Sequence, residues 1–332
     1  MLFPELAPER HLIGIAKLAS EGELLEAKRR VEYRELPTRR FIGRASGRKM
    51  PFEWTINPYR GCEFGCKYCY ARYTHEFMEL RDTEQFETEI YAKSFDAAAF
   101  RRELTRIPMK DGICVGTATD PYQPAERRFR ITRQILATFL HERGRTFSLT
   151  TKSDLVSRDA ELLGSIAKHN VLHVFVTVTT TDETLARQIE PYAPRPALRI
   201  EAIERLTAKG VRVVVLCSPI MPLINDSLAN LTAVGKAVKA AGAIYMMGGV
   251  LFLKPCAQKA FYPFLEAQFP TLLRRYRERY DSSAFLTGQY PEKMADRVKQ
   301  VRERLGLTAK PDGYQPEQWM AQPQLPLFQL PS

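Results

Sequence analysis

The chain has 332 residues, 45% of them hydrophobic and 26% charged, with 49 Lys and Arg against 38 Asp and Glu for a formal net charge of +11. That balance excludes a fibrous or low-complexity disordered chain and suits a globular protein with one large core or two smaller ones. No basic segment leads into an apolar run at the start, and no stretch reaches the roughly 18 to 20 apolar residues of a membrane span, so a cytoplasmic protein without membrane association is expected.

Residues 1–50 are polar and basic and read as an N-terminal extension, with runs "KRRVEYR" from Lys28 and "RRFIGRASGRK" from Arg39. The second run leads into "RGCEFGCKYCYAR", where Cys62, Cys66 and Cys69 are spaced C-x3-C-x2-C and account for half of the six cysteines. In a reducing compartment such crowding points to a metal or metal cluster rather than a disulfide. Cys114, Cys217 and Cys256 stand apart in or beside apolar runs and read as small buried hydrophobes.

Residues 51–255 read as one α/β core. Short apolar, β-branched runs at 113–118, 147–151, 174–179, 211–217 and 244–253 predict strands. Helical patterns fall between them: Ile131, Ile135, Leu136, Phe139 and Leu140; Leu162, Leu163 and Ile166; Leu198, Ala202, Ile203 and Leu206; Leu228, Leu231, Val234 and Val238. Repeated βα units give a parallel sheet, open or curled into a barrel, with function at the carboxyl ends of its strands. The polar groups after the runs are therefore site candidates: Thr117 to Asp120 with Tyr122, Thr151 to Ser153, Thr177 to Asp182, and Ser218 with Pro219. Each alone suits a turn or cap, but they recur at equivalent strand ends. Residues 256–332 read as a C-terminal extension, with amphipathic helices near 261–280 and 291–305 and a Pro/Gln-rich tail.

A structural zinc site takes four protein ligands, and His75 lies six residues beyond Cys69. Paired C-x2-C elements are the usual zinc pattern, however, and the chain has no second pair. Three thiolates with an open position equally suit an iron-sulfur cluster with one iron free for a non-protein ligand. Gly61 and Gly65 would let the backbone wrap the cluster, and Arg60, Lys67 and Arg72 would offset its charge.

The C-x3-C-x2-C motif with Tyr68 before its third cysteine resembles the radical S-adenosylmethionine (SAM) superfamily. "NPYRGCEFGCKYCYARYTHE", "TDPYQPAERRFRITR", "TTKSDLVSRD", "VTTTDETLARQIEPYAPRPALRIEAI" and "SPIMPLIND" extend the likeness to its spore-photoproduct-lyase-like, DNA-repair-photolyase-like branch over about residues 50 to 255. The resemblance implies a partial (β/α)6 barrel with N- and C-terminal extensions. It implies a [4Fe-4S] cluster on Cys62, Cys66 and Cys69, with SAM on the free iron. One electron would cleave SAM to methionine and a 5′-deoxyadenosyl radical that abstracts hydrogen from the substrate, the electron coming from a flavodoxin- or ferredoxin-like donor. By match to the family pattern, Tyr68, Gly116, Thr117, Asp120, Lys152, Ser153, Thr177, Thr179 and Ser218 would contact the cofactor, with Lys152 taking its carboxylate. Glu190 and Arg199 are expected to form a structural ion pair.

In one respect the chain departs from the pattern. Spore photoproduct lyase carries a cysteine after its second strand that returns a hydrogen atom to the repaired thymine; here that position is Thr117, and Cys114 lies three residues earlier. A threonine O–H bond is too strong for that role. The charge and the basic runs, including those from Arg127 and Arg274, favour a nucleic-acid substrate, as in DNA repair. Tyr59, Tyr122 or another mouth aromatic would then stack on an extruded base. A radical enzyme acting on a protein or small molecule is the alternative, and a zinc-bearing, non-catalytic nucleic-acid-binding protein is the third reading.

Overall fold

The computed structural model describes residues 12–28, 31–38, 40–45, 50–309 and 313–316. Of the basic run 39–49, residues 39 and 46–49 lie outside this set, as does the 317–332 tail. In chain order the strands are β1 (Leu24–Lys28), β2 (Val31–Leu36), β3 (Ile42–Arg44), β4 (Trp54–Ile56), β5 (Tyr59–Arg60), β6 (Glu89–Lys93), β7 (Ile113–Val115), β8 (Thr146–Thr151), β9 (Val171–Thr177), β10 (Arg212–Ile220) and β11 (Tyr245–Val250).

Seven of them form one sheet in the order β11-β10-β9-β8-β7-β4-β3. Every neighbouring pair from β4 to β11 is parallel, and β3 adds antiparallel at the β4 edge. Among the described residues nothing pairs β11 with β3, so six parallel strands form an open arc, as expected of a partial barrel.

The pleat sorts side chains into two faces. Register aligns Ile56, Val115, Leu149, Val174 and Val213 across five strands, and all five belong to the main core with helix residues such as Ile135, Leu163, Ile203 and Val234. The adjacent row, Thr55, Cys114, Ser148, His173 and Arg212, is polar apart from its cysteine and lies on the other face. Cys114 is buried, as its apolar setting suggested, but on that polar face.

Two features were not expected from sequence. The first is a four-stranded sheet, β1-β2-β6-β5, built partly from the N-terminal basic segment. There β2 pairs parallel to β6, and Tyr33 is fully buried in the main core. The second is a break in the helix expected over 261–280. Pro255–Gln268 ends, and Pro270–Tyr280 begins with its proline in the first turn, where a missing N–H costs nothing.

Phe261, Phe264, Tyr276 and Tyr280 from these helices share a core cluster with Cys62, Phe64, Cys66 and Tyr68. Helix Gln289–Leu305 lies against Leu228–Ala240 and β11, and puts Met294, Val298 and Val301 into the main core. Gly235 permits the approach, because a Cβ there would stand 2.7 Å from Leu305 Cδ1. Among the described residues no helix is long and apolar enough to cross a membrane.

Candidate active site

The cysteine loop follows β5 and is pinned from three directions. Cys62 N donates to Phe86 O (2.8 Å) and Lys67 N to Ile189 O (3.0 Å). From the β7 end, Thr119 Oγ1 (2.6 Å) and Gln123 Nε2 (3.1 Å) donate to Gly61 O, while Glu63 N donates to Gln123 Oε1 (3.0 Å). Buried Arg72 donates to Cys66 O (3.1 Å) and Thr83 O (2.8 Å) and pairs with Glu87. Gly65 has φ +62°, a conformation that favours glycine, and a Cβ there would also stand 2.8 Å from the Tyr192 ring. Thr119 falls within the candidate stretch Thr117 to Asp120, whereas Gln123 was not singled out from sequence; its role is visible only once β7 and the loop are juxtaposed.

Cys62 and Cys66 are buried and Cys69 half-buried. Burial, then Asp120 and Cys66, pushes the Cys62 thiol well above its ordinary range. Burial likewise raises Cys66, to about 12, against the opposing pull of Lys152. Thiolates in this position need a compensating positive centre.

That charge environment comes from the strand ends. Lys152 follows β8, its Nζ 5.7 Å from the centre of the Tyr68 ring. Burial pushes the Lys152 ammonium down, but Cys66, Glu190, Asp120 and Cys69 more than offset this and hold it above the ordinary lysine range. Asp120 accepts from Lys152 N (2.7 Å), Thr151 Oγ1 (2.7 Å) and Tyr122 N (2.9 Å), yet burial still raises its carboxyl. Glu190 pairs with Arg199 at 2.6 Å, both side chains fully buried, and accepts from Tyr68 OH and, at 3.4 Å, from Thr179 Oγ1. Burial would raise Glu190, but Arg199 and Lys152 outweigh it and keep the carboxyl low. The expected ion pair is present, and it also grips the tyrosine next to Cys69.

The remaining candidates divide. Gly116 has φ +86°, and a Cβ there would stand 2.6 Å from Pro121 Cδ and 2.7 Å from Thr150 O. The Thr117 hydroxyl is 2.5 Å from that of Thr55 and accepts from Asn57 Nδ2 (3.1 Å), while its carbonyl accepts from Tyr70 OH (2.5 Å). Ser153 caps the turn Asp154–Asp159 through Leu155 N (3.2 Å), and Thr177 O accepts from Arg199 (3.2 Å). Ser218 is half-buried on β10, its hydroxyl 3.2 Å from where a Cβ of Gly249 on β11 would stand. Tyr68, Asp120, Lys152 and Thr179 are thus drawn into one network with the cysteines.

Tyr59 and Tyr122 do not stand at the mouth. Both are fully buried: Tyr59 OH donates to Glu126 (2.6 Å) and Tyr122 OH to Asp159 (3.1 Å), and Arg158 pairs with both acids. Tyr122, Glu126, Arg158 and Asp159 therefore supply a buried polar lock between the segments following β7 and β8.

His75 is not placed as a fourth metal ligand. Its Nε2 is 3.1 Å from Glu89 O and its ring packs on Phe86 and Tyr91; burial lowers its pKa to about 4. Among the described residues no three His, Cys, Asp or Glu side chains can hold a single metal ion. With His75 turned away, the loop offers three thiols and no fourth protein ligand from that histidine, the donor set of a cluster with one iron open rather than of a four-ligand zinc site.

The family model of the radical SAM superfamily matches residues 56–232. An uncharacterized protein of Mycobacterium tuberculosis is 34% identical over 250 residues, covering 75% of this chain and 73% of that one. One of Methanocaldococcus jannaschii is 30% identical over 178 residues, 52% of this chain and 62% of that one. Among solved structures, spore photoproduct lyase complexed with dinucleoside spore photoproduct superposes with a TM-score of 0.58 at 12% identity, covering 82% of this chain and 79% of that one. A double mutant of the same enzyme with bound AdoMet and dinucleoside spore photoproduct gives 0.57 at 11%, with the same coverage. At such identity the likeness is one of fold.

Proposed function

Because this chain belongs to the radical SAM superfamily, we propose that Cys62, Cys66 and Cys69 hold a [4Fe-4S] cluster whose fourth iron is left to the amino and carboxylate groups of SAM. When bound, cluster and cofactor supply the chemistry: one electron cleaves SAM to methionine and a 5′-deoxyadenosyl radical that takes hydrogen from the substrate. The observation that carries this reading is the convergence of Lys152 and the Glu190–Arg199–Tyr68 group on Cys66, with Asp120 beside Cys62, at the strand ends. Lys152, held cationic beside the thiols, binds the carboxylate of SAM. Asp120 fixes the backbone of Lys152, and Gly116 lets the β7 loop pass close against the Thr150 carbonyl of β8. Glu190 steers Tyr68 and keeps the ring against Lys152.

A cytoplasmic, reducing setting and a flavodoxin- or ferredoxin-like electron donor complete the reading. The substrate class it favours is nucleic acid, supported by the net charge of +11 and by exposed Arg127, Arg128, Arg130 and Arg133 in the segment that follows the β7 end. Thymine-dimer repair that draws its last hydrogen atom from the β7 end is disfavoured, because Thr117 stands there with its hydroxyl engaged by Thr55 and Asn57.

The test is anaerobic incubation of the reconstituted, reduced enzyme with SAM and single- or double-stranded DNA or RNA, following 5′-deoxyadenosine by mass. Nucleic-acid-dependent product supports the reading. Product stimulated only by protein or small molecules moves the substrate class, and no product with any addition contradicts the radical chemistry.

A further inference from the structure

The arc of six parallel strands is open between β4 and β11, and aromatic side chains line that opening at the carboxyl ends of the strands. Tyr70, next to Cys69, lies 6.0 Å ring to ring from Phe252, which follows β11. Phe252 stacks on Phe285 at 4.3 Å, and the 281–288 loop is tied to the β11 end by Leu253 N donating to Ala284 O (3.0 Å). In the other direction Tyr70 stacks on Tyr73 at 6.5 Å, and Tyr73 meets Phe77 edge-on at 5.5 Å. Three chain segments, far apart in sequence, thus make one strip. Its ends are open to water, Phe285 at 62% and Phe77 at 61% exposure, with Tyr70 at 39%.

Lys254 is interleaved with the rings, its Nζ 4.1 Å from the centre of Tyr73 and 5.8 Å from that of Phe252, and no carboxylate pairs with it among the described residues. Exposed, contiguous aromatic surface beside a candidate active site calls for an occupant. The composition selects among occupants: all five side chains are aromatic and none aliphatic, a cation stands between them, and the chain carries +11. Flat rings with an interleaved ammonium match stacked bases and their phosphates, and the net charge of +11 favours a polyanion over an uncharged peptide.

We propose that the strip Phe285–Phe252–Tyr70–Tyr73–Phe77, with Lys254, is a base-stacking platform for single-stranded nucleic acid that delivers a nucleotide to the opening of the arc. This rests on the nucleic-acid reading of the substrate and adds to it the strand state and the surface that recognises it.

The test uses reconstituted holoprotein, anaerobic, with short oligo-dT and oligo-rU strands carrying one 2-aminopurine, the same label in a duplex, and an apolar peptide. The variants are Phe285→Ala and Phe77→Ala, singly and together, Lys254→Ala, and Met109→Ala as an exposed apolar control before β7. Phe285 and Phe77 are mostly solvent-exposed, so their truncation spares the core, and circular dichroism melting checks this. The expected result is preference for single strands with quenching of the 2-aminopurine. Phe285→Ala should weaken binding by roughly 5- to 100-fold with loss of quenching. Lys254→Ala should lower the slope of log affinity against log salt by about one, and Met109→Ala should change nothing. The dT and rU arms report whether the strand is DNA or RNA. Wild-type affinity and quenching in the folded Phe285→Ala, Phe77→Ala double variant would overturn the platform and leave the nucleic-acid reading standing. No binding of any strand to the wild-type protein, with peptide binding that depends on Phe285, would overturn both.

Discussion

Lys152 concentrates the account at the level of single residues. Its ammonium is held above the ordinary lysine range by Cys66, Glu190, Asp120 and Cys69 in spite of burial, so it would meet the cofactor carboxylate proposed for it fully charged. A hydrogen bond to a charged group is worth about 1.5–3 kcal/mol, so Lys152→Ala should weaken SAM binding roughly 10- to 100-fold while iron and sulfide content stay unchanged. Equilibrium binding of SAM to the reconstituted variant measures this, and undiminished affinity would make Lys152 a structural residue. Glu190→Gln leaves Arg199 buried opposite a neutral amide. Unfolding in urea should therefore show a loss of about 3–5 kcal/mol, whereas a loss below about 1 would mean the pair is not what orders that corner. Lys152 was legible in sequence because it directly follows an apolar strand run. Gln123 was not, since a glutamine gains meaning there only when the β7 loop lies over Gly61.

Among elements, the small sheet carries an unexpected cost. On β6, Lys93 is nearly buried, its Nζ 5.4 Å from the centre of the Phe41 ring. Burial, then Arg60, pushes its pKa down to about 7. The folded protein releases this proton more readily than the unfolded chain does. Stability therefore rises with pH from about 7 toward the ordinary lysine range, and at pH 7 the group costs nearly its full penalty. Lys93→Met should remove that slope and stabilise the protein at pH 7 by about 1–3 kcal/mol, read from urea unfolding at neutral and alkaline pH. An unchanged slope would mean the ammonium is solvated. This sheet escaped the sequence reading for a physical reason: "VEYREL" carries charges at Glu32, Arg34 and Glu35, which breaks a strict alternation, and sits among basic runs, so β2 resembles an exposed segment until β6 pairs with it. The break at Pro270 was readable in principle, because a proline inside a helical pattern ends it.

In the whole molecule, the architecture was the most legible part. Five of the six parallel strands of the arc correspond to apolar runs, and their order along the sheet follows the sequence. The polar inner row was hidden, because Cys114, Ser148 and His173 interrupt strands that read from sequence mainly by their outer face. The βα units depend on close contact between neighbours. A methyl group on Gly164, in helix Ala160–Ala167, would stand 2.6 Å from the Lys209 carbonyl oxygen at the end of the next unit. That oxygen is backbone and cannot swing aside, so Gly164→Ala should destabilise by about 1–3 kcal/mol despite the better helix propensity of alanine. Stabilisation on urea unfolding would show that the two helices separate freely.

The central claim is that the three cysteines of one loop together hold the cluster on which the activity depends. Its most direct test is the iron and acid-labile sulfide content of anaerobically reconstituted protein, wild type against Cys62→Ala, Cys66→Ala, Cys69→Ala and the triple variant. Expected are about four irons and four sulfides in the wild type, loss of both the brown colour and SAM cleavage in every single variant, and no bound iron or sulfide in the triple variant. Wild-type iron content in the triple variant would contradict it.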